Sequence, residues 1–167
     1  MADVLYSGLS YEQVVEKYYQ TIASVCVLHI QNHADAQDCF QNTFVKLFEK
    51  SPDFESESHL KAWLIRVAIN ECSNMRRKNR YTISLSQVGE NSAIIFPDDD
   101  KNDISWALVK IDDKFRDVLY LKYSEGYNSA QISEILGKNP NTVRTLLKRG
   151  LEKLKSVYGG DGYEKCT

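Results

Sequence analysis

No run of apolar residues in this 167-residue chain approaches the ~18–20 needed to cross a bilayer. Membrane insertion is therefore not expected. The opening residues, MADVLYSGLS, lack a basic segment followed by an apolar stretch, so a secretory leader is not expected and the chain reads as cytoplasmic. Four cysteines are present, Cys26, Cys39, Cys72 and Cys166, with no CxxC or other metal-type spacing. Reduced thiols, three of them packed in a core, are the expectation for a cytosolic chain. His29, His33 and Cys39 form no complete ligand set, and no metal or other cofactor is expected. No Ser/His/Asp set, paired-carboxylate site or phosphate-cradling glycine loop is evident, which points away from an enzyme. Internal repeats and low-complexity segments are likewise absent.

The charge is present but unevenly placed. A net charge of −2 argues against nucleic-acid binding if read alone. Residues 1–58 carry nine acids and three bases, whereas residues 59–80 carry six bases against Glu71 alone. Residues 81–137 hold ten acids and five bases, and residues 138–155 hold six bases against Glu152. Two basic segments set among acidic ones imply two separate nucleic-acid footprints. The acidic first block implies either a basic protein partner or a solvated surface.

Periodicity makes the chain almost wholly helical. Ser10 and Gln13 form a capping-box start, followed by an apolar stripe of Val14, Val15, Tyr18, Ile22, Val25, Cys26 and Leu28. A second helix starts near Ala34 or Asp35 and runs to about Lys50, with Cys39, Phe40, Phe44, Leu47 and Phe48 inward. Ser51 and Pro52 end it, because the residue before proline avoids the helical region. Ser58 caps a third helix with Leu60, Trp63, Leu64, Val67, Ala68, Cys72 and Met75 inside, and it exits in the basic run of residues 76–80. Between residues 82 and 103 the periodicity fails, and Gly89, Pro97 and three successive Asp residues mark a linker with a short ordered patch at 93–96. Its 22 residues span at most about 70 Å at ~3.3 Å each, about two turns of B-DNA at ~34 Å per turn. Helical pattern resumes with Trp106, Val109, Ile111, Phe115, Val118, Leu119, Leu121 and Tyr123, up to a turn at Glu125 and Gly126.

Residues 128–155 read NSAQISEILGKNPNTVRTLLKRGLEKLK. Ser129 can cap a short helix whose apolar face is Ala130, Ile132, Ile135 and Leu136. Gly137 fits a left-handed turn. Pro140 opens a second helix, where a missing N–H costs nothing, and Val143, Leu146, Leu147, Leu151 and Leu154 follow at three- and four-residue steps. Ala130 and Ser133 are small enough for a close helix crossing. Two short helices around a glycine turn, the second one basic, form the pattern of a DNA-reading helix-turn-helix.

Both halves resemble the extracytoplasmic-function group of bacterial sigma factors, the smallest two-domain type of the sigma-70 class. DAQDCFQNTFVKLFEK (residues 35–50) resembles the family's D-A-x-D-x-x-Q-x-T-F tract, and KAWLIRVAINECSNMRRKNR (residues 61–80) its T-W-L-x-x-I-A-x-N tract with a basic end. Residues 111–155 resemble the promoter-reading domain almost end to end. The resemblance covers about residues 11–80 and 103–158. It implies an all-α fold of two small helical domains joined by a flexible linker. Residues 1–81 would form a sigma-2-like domain, 82–103 the linker, 104–158 a sigma-4-like domain, and 159–167 a disordered tail.

The resemblance also implies roles. Asp38, Gln41 and Asn42 share one side of the second helix and would dock on the clamp coiled coil of core RNA polymerase. Asn42 stands where an acid is common, which removes one charge from that contact. The third helix and the loop before it, residues 53–59, would read and help open the −10 element of promoter DNA, the loop holding an unstacked base. The residues implied there are Phe54, Arg66, Asn70, Asn74, Arg77, Lys78 and Arg80, since amides read base edges and cations hold phosphates. Trp63 reads as core rather than as a base-stacking residue. The −35 element would meet Asn141, Thr142, Arg144, Thr145, Lys148 and Arg149. Leu146 and Leu151 depart from family positions where basic residues are frequent, so the −35 contacts lose charge. An anti-sigma protein is a further expected partner. The alternative reading is a stand-alone helix-turn-helix regulator with a sensing or dimerising first domain; a helical enzyme using His29, His33 or the cysteines is a third.

Overall fold

The computed structural model describes residues 4–82 and 105–160, and side chains for residues 4–79 and 107–157. The chain divides into two compact units, Met1–Pro97 and Asp98–Thr167. Among the described residues every regular element is helical, with one isolated bridge between Tyr6 and Leu9. Most of the expected linker, its patch at 93–96, and residues 161–167 lie outside the described residues.

The first unit is a three-helix bundle: α1 (Tyr11–His29), α2 (His33–Lys50) and α3 (Glu57–Thr82). α1 opens on the expected capping box, with Gln13 N–H donating to Ser10 Oγ at 3.2 Å and Ser10 N–H to Gln13 Oε1 at 2.8 Å. α2 begins at His33, slightly before the expected Ala34 or Asp35, because Asn32 is its cap and accepts from the Asp35 N–H at 3.1 Å. Ser51 ends α2 in the left-handed region, at φ 38° and ψ 54°. It thus leaves the right-handed region ahead of Pro52, but not for the extended region that usually precedes proline. α3 starts at Glu57, and Ser56 rather than Ser58 caps it: the His59 N–H donates to Ser56 Oγ at 3.1 Å.

The core forms where three apolar stripes meet. Val14, Ile22, Val25 and Cys26 come from α1, Ala36, Cys39, Phe44 and Leu47 from α2, and Leu60, Leu64, Ile65, Ala68, Ile69 and Cys72 from α3. Each large aliphatic side chain buried there contributes about 1.5–3 kcal/mol. Phe48 was expected inside and is 66% exposed. Leu47 takes the inward position, and Phe48, one residue on, lies edge-on to the Tyr11 ring at 5.6 Å. Val15, Phe40, Trp63, Val67 and Met75 are half-buried. Thr43 is fully buried, and its hydroxyl donates back to the Cys39 carbonyl at 2.8 Å, which satisfies that hydroxyl.

Polar ties join the helices at their margins. Glu57 pairs with Lys17 and accepts the Tyr18 hydroxyl at 2.9 Å, and these donors hold its carboxyl below the usual range. Lys46 of α2 pairs with Glu71 of α3.

The second unit comprises α4 (Ser105–Val109), α5 (Asp113–Leu119), a π-helical turn (Tyr120–Ser124), α6 (Ser129–Leu136) and α7 (Pro140–Gly160). α6 is capped by Asn128, not Ser129, in a reciprocal box: Gln131 N–H to Asn128 Oδ1 is 2.9 Å and Asn128 N–H to Gln131 Oε1 is 3.0 Å. Gly137 has φ 64°, the left-handed conformation the turn requires. Pro140 is the first residue of α7. The helix runs on through Gly159 and Gly160, past the boundary expected at residue 158. Val143, Leu147, Gly150 and Leu154 face inward, while Leu146 and Leu151 are half-buried and Tyr123 is exposed.

Of the two small residues expected at a close helix crossing, Ala130 is exposed and does not line one. The Ser133 hydroxyl donates to the Lys138 carbonyl across the turn. The tight approach is at Gly150, where a Cβ would stand 3.1 Å from Leu119 Cδ1 and 3.4 Å from Phe115 Cβ.

Candidate nucleic-acid and polymerase interfaces

On α2, Asp38, Gln41 and Asn42 are all exposed, and the helical period puts them on one stripe. Val45 continues that stripe one step further and is 46% exposed. Sequence reasoning passed over Val45, although its distance from Asp38 and Asn42, seven and three residues, was the available signal. The stripe therefore pairs polar groups with an apolar neighbour, which suits a protein partner better than plain solvent.

On α3, Arg66, Asn70, Asn74 and Arg77 are exposed. Their steps of four, four and three residues keep them on one side over about 16 Å at ~1.5 Å per residue. Lys78 is exposed beside them, and the Arg80 side chain lies outside the described residues. Arg76, by contrast, is half-buried and its guanidinium reaches Ser73 Oγ at 3.5 Å. The basic run is thus sorted by the helix into a packed cation and outward ones. Two amides between cations can read base edges while the cations hold phosphates.

The loop before α3 places Phe54 half-buried, with its ring against Trp63 at 5.7 Å and against His59 at 5.4 Å. Trp63 is half-buried, so it serves as the wall behind Phe54 rather than as a fully enclosed core residue.

On α7, Asn141, Thr142, Arg144, Thr145, Lys148 and Arg149 are all exposed. Asn139 anchors the start by accepting the Asn141 N–H at 2.9 Å. Arg144 Nη1 donates to Asn141 Oδ1 at 3.0 Å, and the Thr145 hydroxyl to the Asn141 carbonyl at 3.0 Å. These bonds align the first turn before any ligand arrives, opposite the Val143–Leu147 face that packs inward. A short helix, a left-handed glycine and a basic second helix with one exposed polar face make this unit a helix-turn-helix.

The remaining chemistry-bearing residues are placed apart from these surfaces. His29 closes α1, buried, with Nδ1 against the Val25 carbonyl at 2.8 Å, whereas His33 opens α2 and is exposed. They do not share a helix face. Cys26, Cys39 and Cys72 are buried as expected. The Cys39 thiol is pushed well above its ordinary value by its hydrogen bond with Cys72 and by burial, and the Cys72 thiol is raised by its hydrogen bond with Cys26 and by burial, which the bond with Cys39 offsets in part. Among the described residues no group of three His, Cys, Asp or Glu is arranged to hold a metal ion, and no helix is long and apolar enough to cross a membrane.

Comparison with known proteins follows the same division. The Sigma-70 region 2 family matches residues 14–82, and the Sigma-70, region 4 family matches residues 107–154. The ECF RNA polymerase sigma factor SigW of Bacillus subtilis (strain 168) is 26% identical over 163 residues, covering 87% of each chain. The sigma factor RpoE from Bartonella quintana, solved in complex with the anti-sigma factor NepR, superposes with a TM-score of 0.71 at 22% identity over 89% of this chain and 96% of that one. CnrH, solved in complex with the cytosolic domain of CnrY, gives a TM-score of 0.65 at 21% identity over 90% and 88%.

Two regions in this order define a sigma-70-class protein of two helical units. The chain belongs to the extracytoplasmic-function group of RNA polymerase sigma factors. Its function is that of a sigma factor, promoter-specific transcription initiation with RNA polymerase.

Proposed function

We propose a residue-level division of that labour. Asp38, Gln41 and Asn42, with Val45 beside them, dock on the clamp coiled coil of core RNA polymerase. Arg66, Asn70, Asn74, Arg77, Lys78 and Arg80, with Phe54 in the preceding loop, read and help open the −10 element. Asn141, Thr142, Arg144, Thr145, Lys148 and Arg149 read the −35 element in the major groove. The observation that carries this reading is the sorting of exposure. The described polar and cationic side chains assigned to DNA point away from both cores, apart from half-buried Phe54, and the α2 stripe stands on a helix separate from the DNA-facing one. The protein does no bond chemistry itself; the polymerase supplies the catalysis, in the cytoplasm. An anti-sigma protein is a further partner, by analogy with the RpoE complex.

The test is the double substitution Arg144→Ala with Lys148→Ala. It abolishes initiation at a −35-dependent promoter and leaves affinity for core polymerase unchanged in a pull-down. Loss of core binding by that variant contradicts the division.

A further inference from the structure

The loop of residues 53–59 is folded around one imidazole. The Glu55 N–H donates to His59 Nδ1 at 3.3 Å, and the His59 N–H donates to Ser56 Oγ at 3.1 Å. The Phe54 ring stands edge-on to the imidazole, at 5.4 Å and 84°, and leans on Trp63 at 5.7 Å and 69°. His59 thus holds the loop backbone on one side and the Phe54 ring on another, although it is itself exposed.

That geometry fixes the tautomer. An Nδ1 that accepts a backbone N–H carries no proton, so the neutral ring bears its proton on Nε2. The exposed imidazole therefore presents a single outward donor beside an aromatic wall. The charge around it decides what the donor meets. Residues 51–59 contain Asp53, Glu55 and Glu57 and no Lys or Arg, and because Glu57 is paired with Lys17 of α1, Asp53 and Glu55 carry the loop's net negative charge. Such a loop repels a phosphate and favours the neutral edge of a base.

We propose that His59 is a specificity-determining residue of this loop: it holds Phe54 and Glu55 in place and donates Nε2–H to an acceptor on the unstacked −10 base. The proposal rests on the −10 reading given above. Nothing else in the loop offers a side-chain donor with the same two anchors.

The experiment uses the full chain with core polymerase and a promoter library randomised across the −10 element, scored by initiation. His59→Ala flattens the preference at one −10 position by about fivefold, the factor one neutral hydrogen bond supplies. Preferences at the other −10 positions and at −35 stay unchanged. His59→Asn can still accept the Glu55 N–H but lacks the outward donor, so it loses the preference as His59→Ala does. His59→Gln, whose amide reaches outward, restores part of it. An unchanged preference profile in His59→Ala overturns the assignment. Phe54→Ala and Asn70→Ala separate the two levels of failure. If they alter −10 preference and His59→Ala does not, only the His59 role falls. If none of the three alters it, the −10 reading falls as well.

Discussion

The side-chain amide of Asn79 donates to the carboxylate of Asp35 at 3.1 Å, joining residues 44 apart in the chain. Asp35 lies in the first turn of α2, where a carboxylate also favours the helix dipole. Asn79 lies in the basic run at the end of α3. The bond therefore holds the end of α3 proposed to face DNA against the start of the helix proposed to meet polymerase. Asn79→Ala is expected to cost about 1.5 kcal/mol, the lower end of the range for a hydrogen bond to a charged group, since both partners are only part-buried. Asp35→Ala costs more, because it also removes the dipole contact. Denaturant unfolding of the two single variants and the double variant measures this, and a coupling energy near zero rejects the link.

Arg116 is only 7% exposed, and its guanidinium is spent on backbone carbonyls. Nε donates to the Leu108 carbonyl at 2.7 Å, and Nη2 to those of Val109 at 2.8 Å and Ile111 at 2.7 Å. Nη1 pairs with Asp113 at 3.0 Å. These carbonyls lie at the end of α4 and in the turn after it, where helix carbonyls run out of backbone donors; the Leu108 carbonyl also accepts the Ile111 N–H at 3.2 Å. Arg116→Met removes the donors from the Val109 and Ile111 carbonyls, at a cost of roughly 3 kcal/mol. Arg116→Lys recovers little, because an ammonium lacks the planar fork. Hydrogen exchange of the α5 and α7 amides is expected to accelerate in both variants; protection equal to wild type in Arg116→Met contradicts this.

The three buried thiols are expected to be inert in the folded protein. Thiolate is the reactive form, and Cys39 and Cys72 are raised from the ordinary value of 9.0, by their mutual hydrogen bond and burial for Cys39 and chiefly by the bond to Cys26 for Cys72. Alkylation at neutral pH, read by peptide mapping, should spare Cys26, Cys39 and Cys72 until denaturant is added. The sign of the pH effect follows. A folded-state value above the unfolded one stabilises fully below pH 9, and that contribution is lost as pH rises beyond it. Stability of the first unit should therefore fall on the alkaline side of about pH 9, and Cys39→Ala should flatten that fall.

Much of the fold was legible because the helical period survives in both units. The Ser10–Gln13 box, the Gly137 turn and the Pro140 start were readable from residue type, since few other residues can take those places. What failed was choice between neighbours. Ser129 and Asn128 can both cap, and only the reciprocal bond to Gln131 selects Asn128. Ser56 displaces Ser58 for the same kind of reason. Phe48 and Leu47 are adjacent apolar residues, and a period of 3.6 leaves one of them outward. Arg116 reads as a surface cation, because nothing in residue type announces that it will cap another helix. The exposed candidates for DNA contact were found by charge and amide content, whereas His59 was missed because its role depends on a loop conformation.

Run-off transcription with purified bacterial core RNA polymerase on a genomic-fragment library tests promoter-specific initiation most directly. Discrete start sites that appear only with this protein, preceded by shared −10 and −35 elements, are the predicted result. No initiation and no binding to core, together with tight duplex binding by the protein alone, would contradict it.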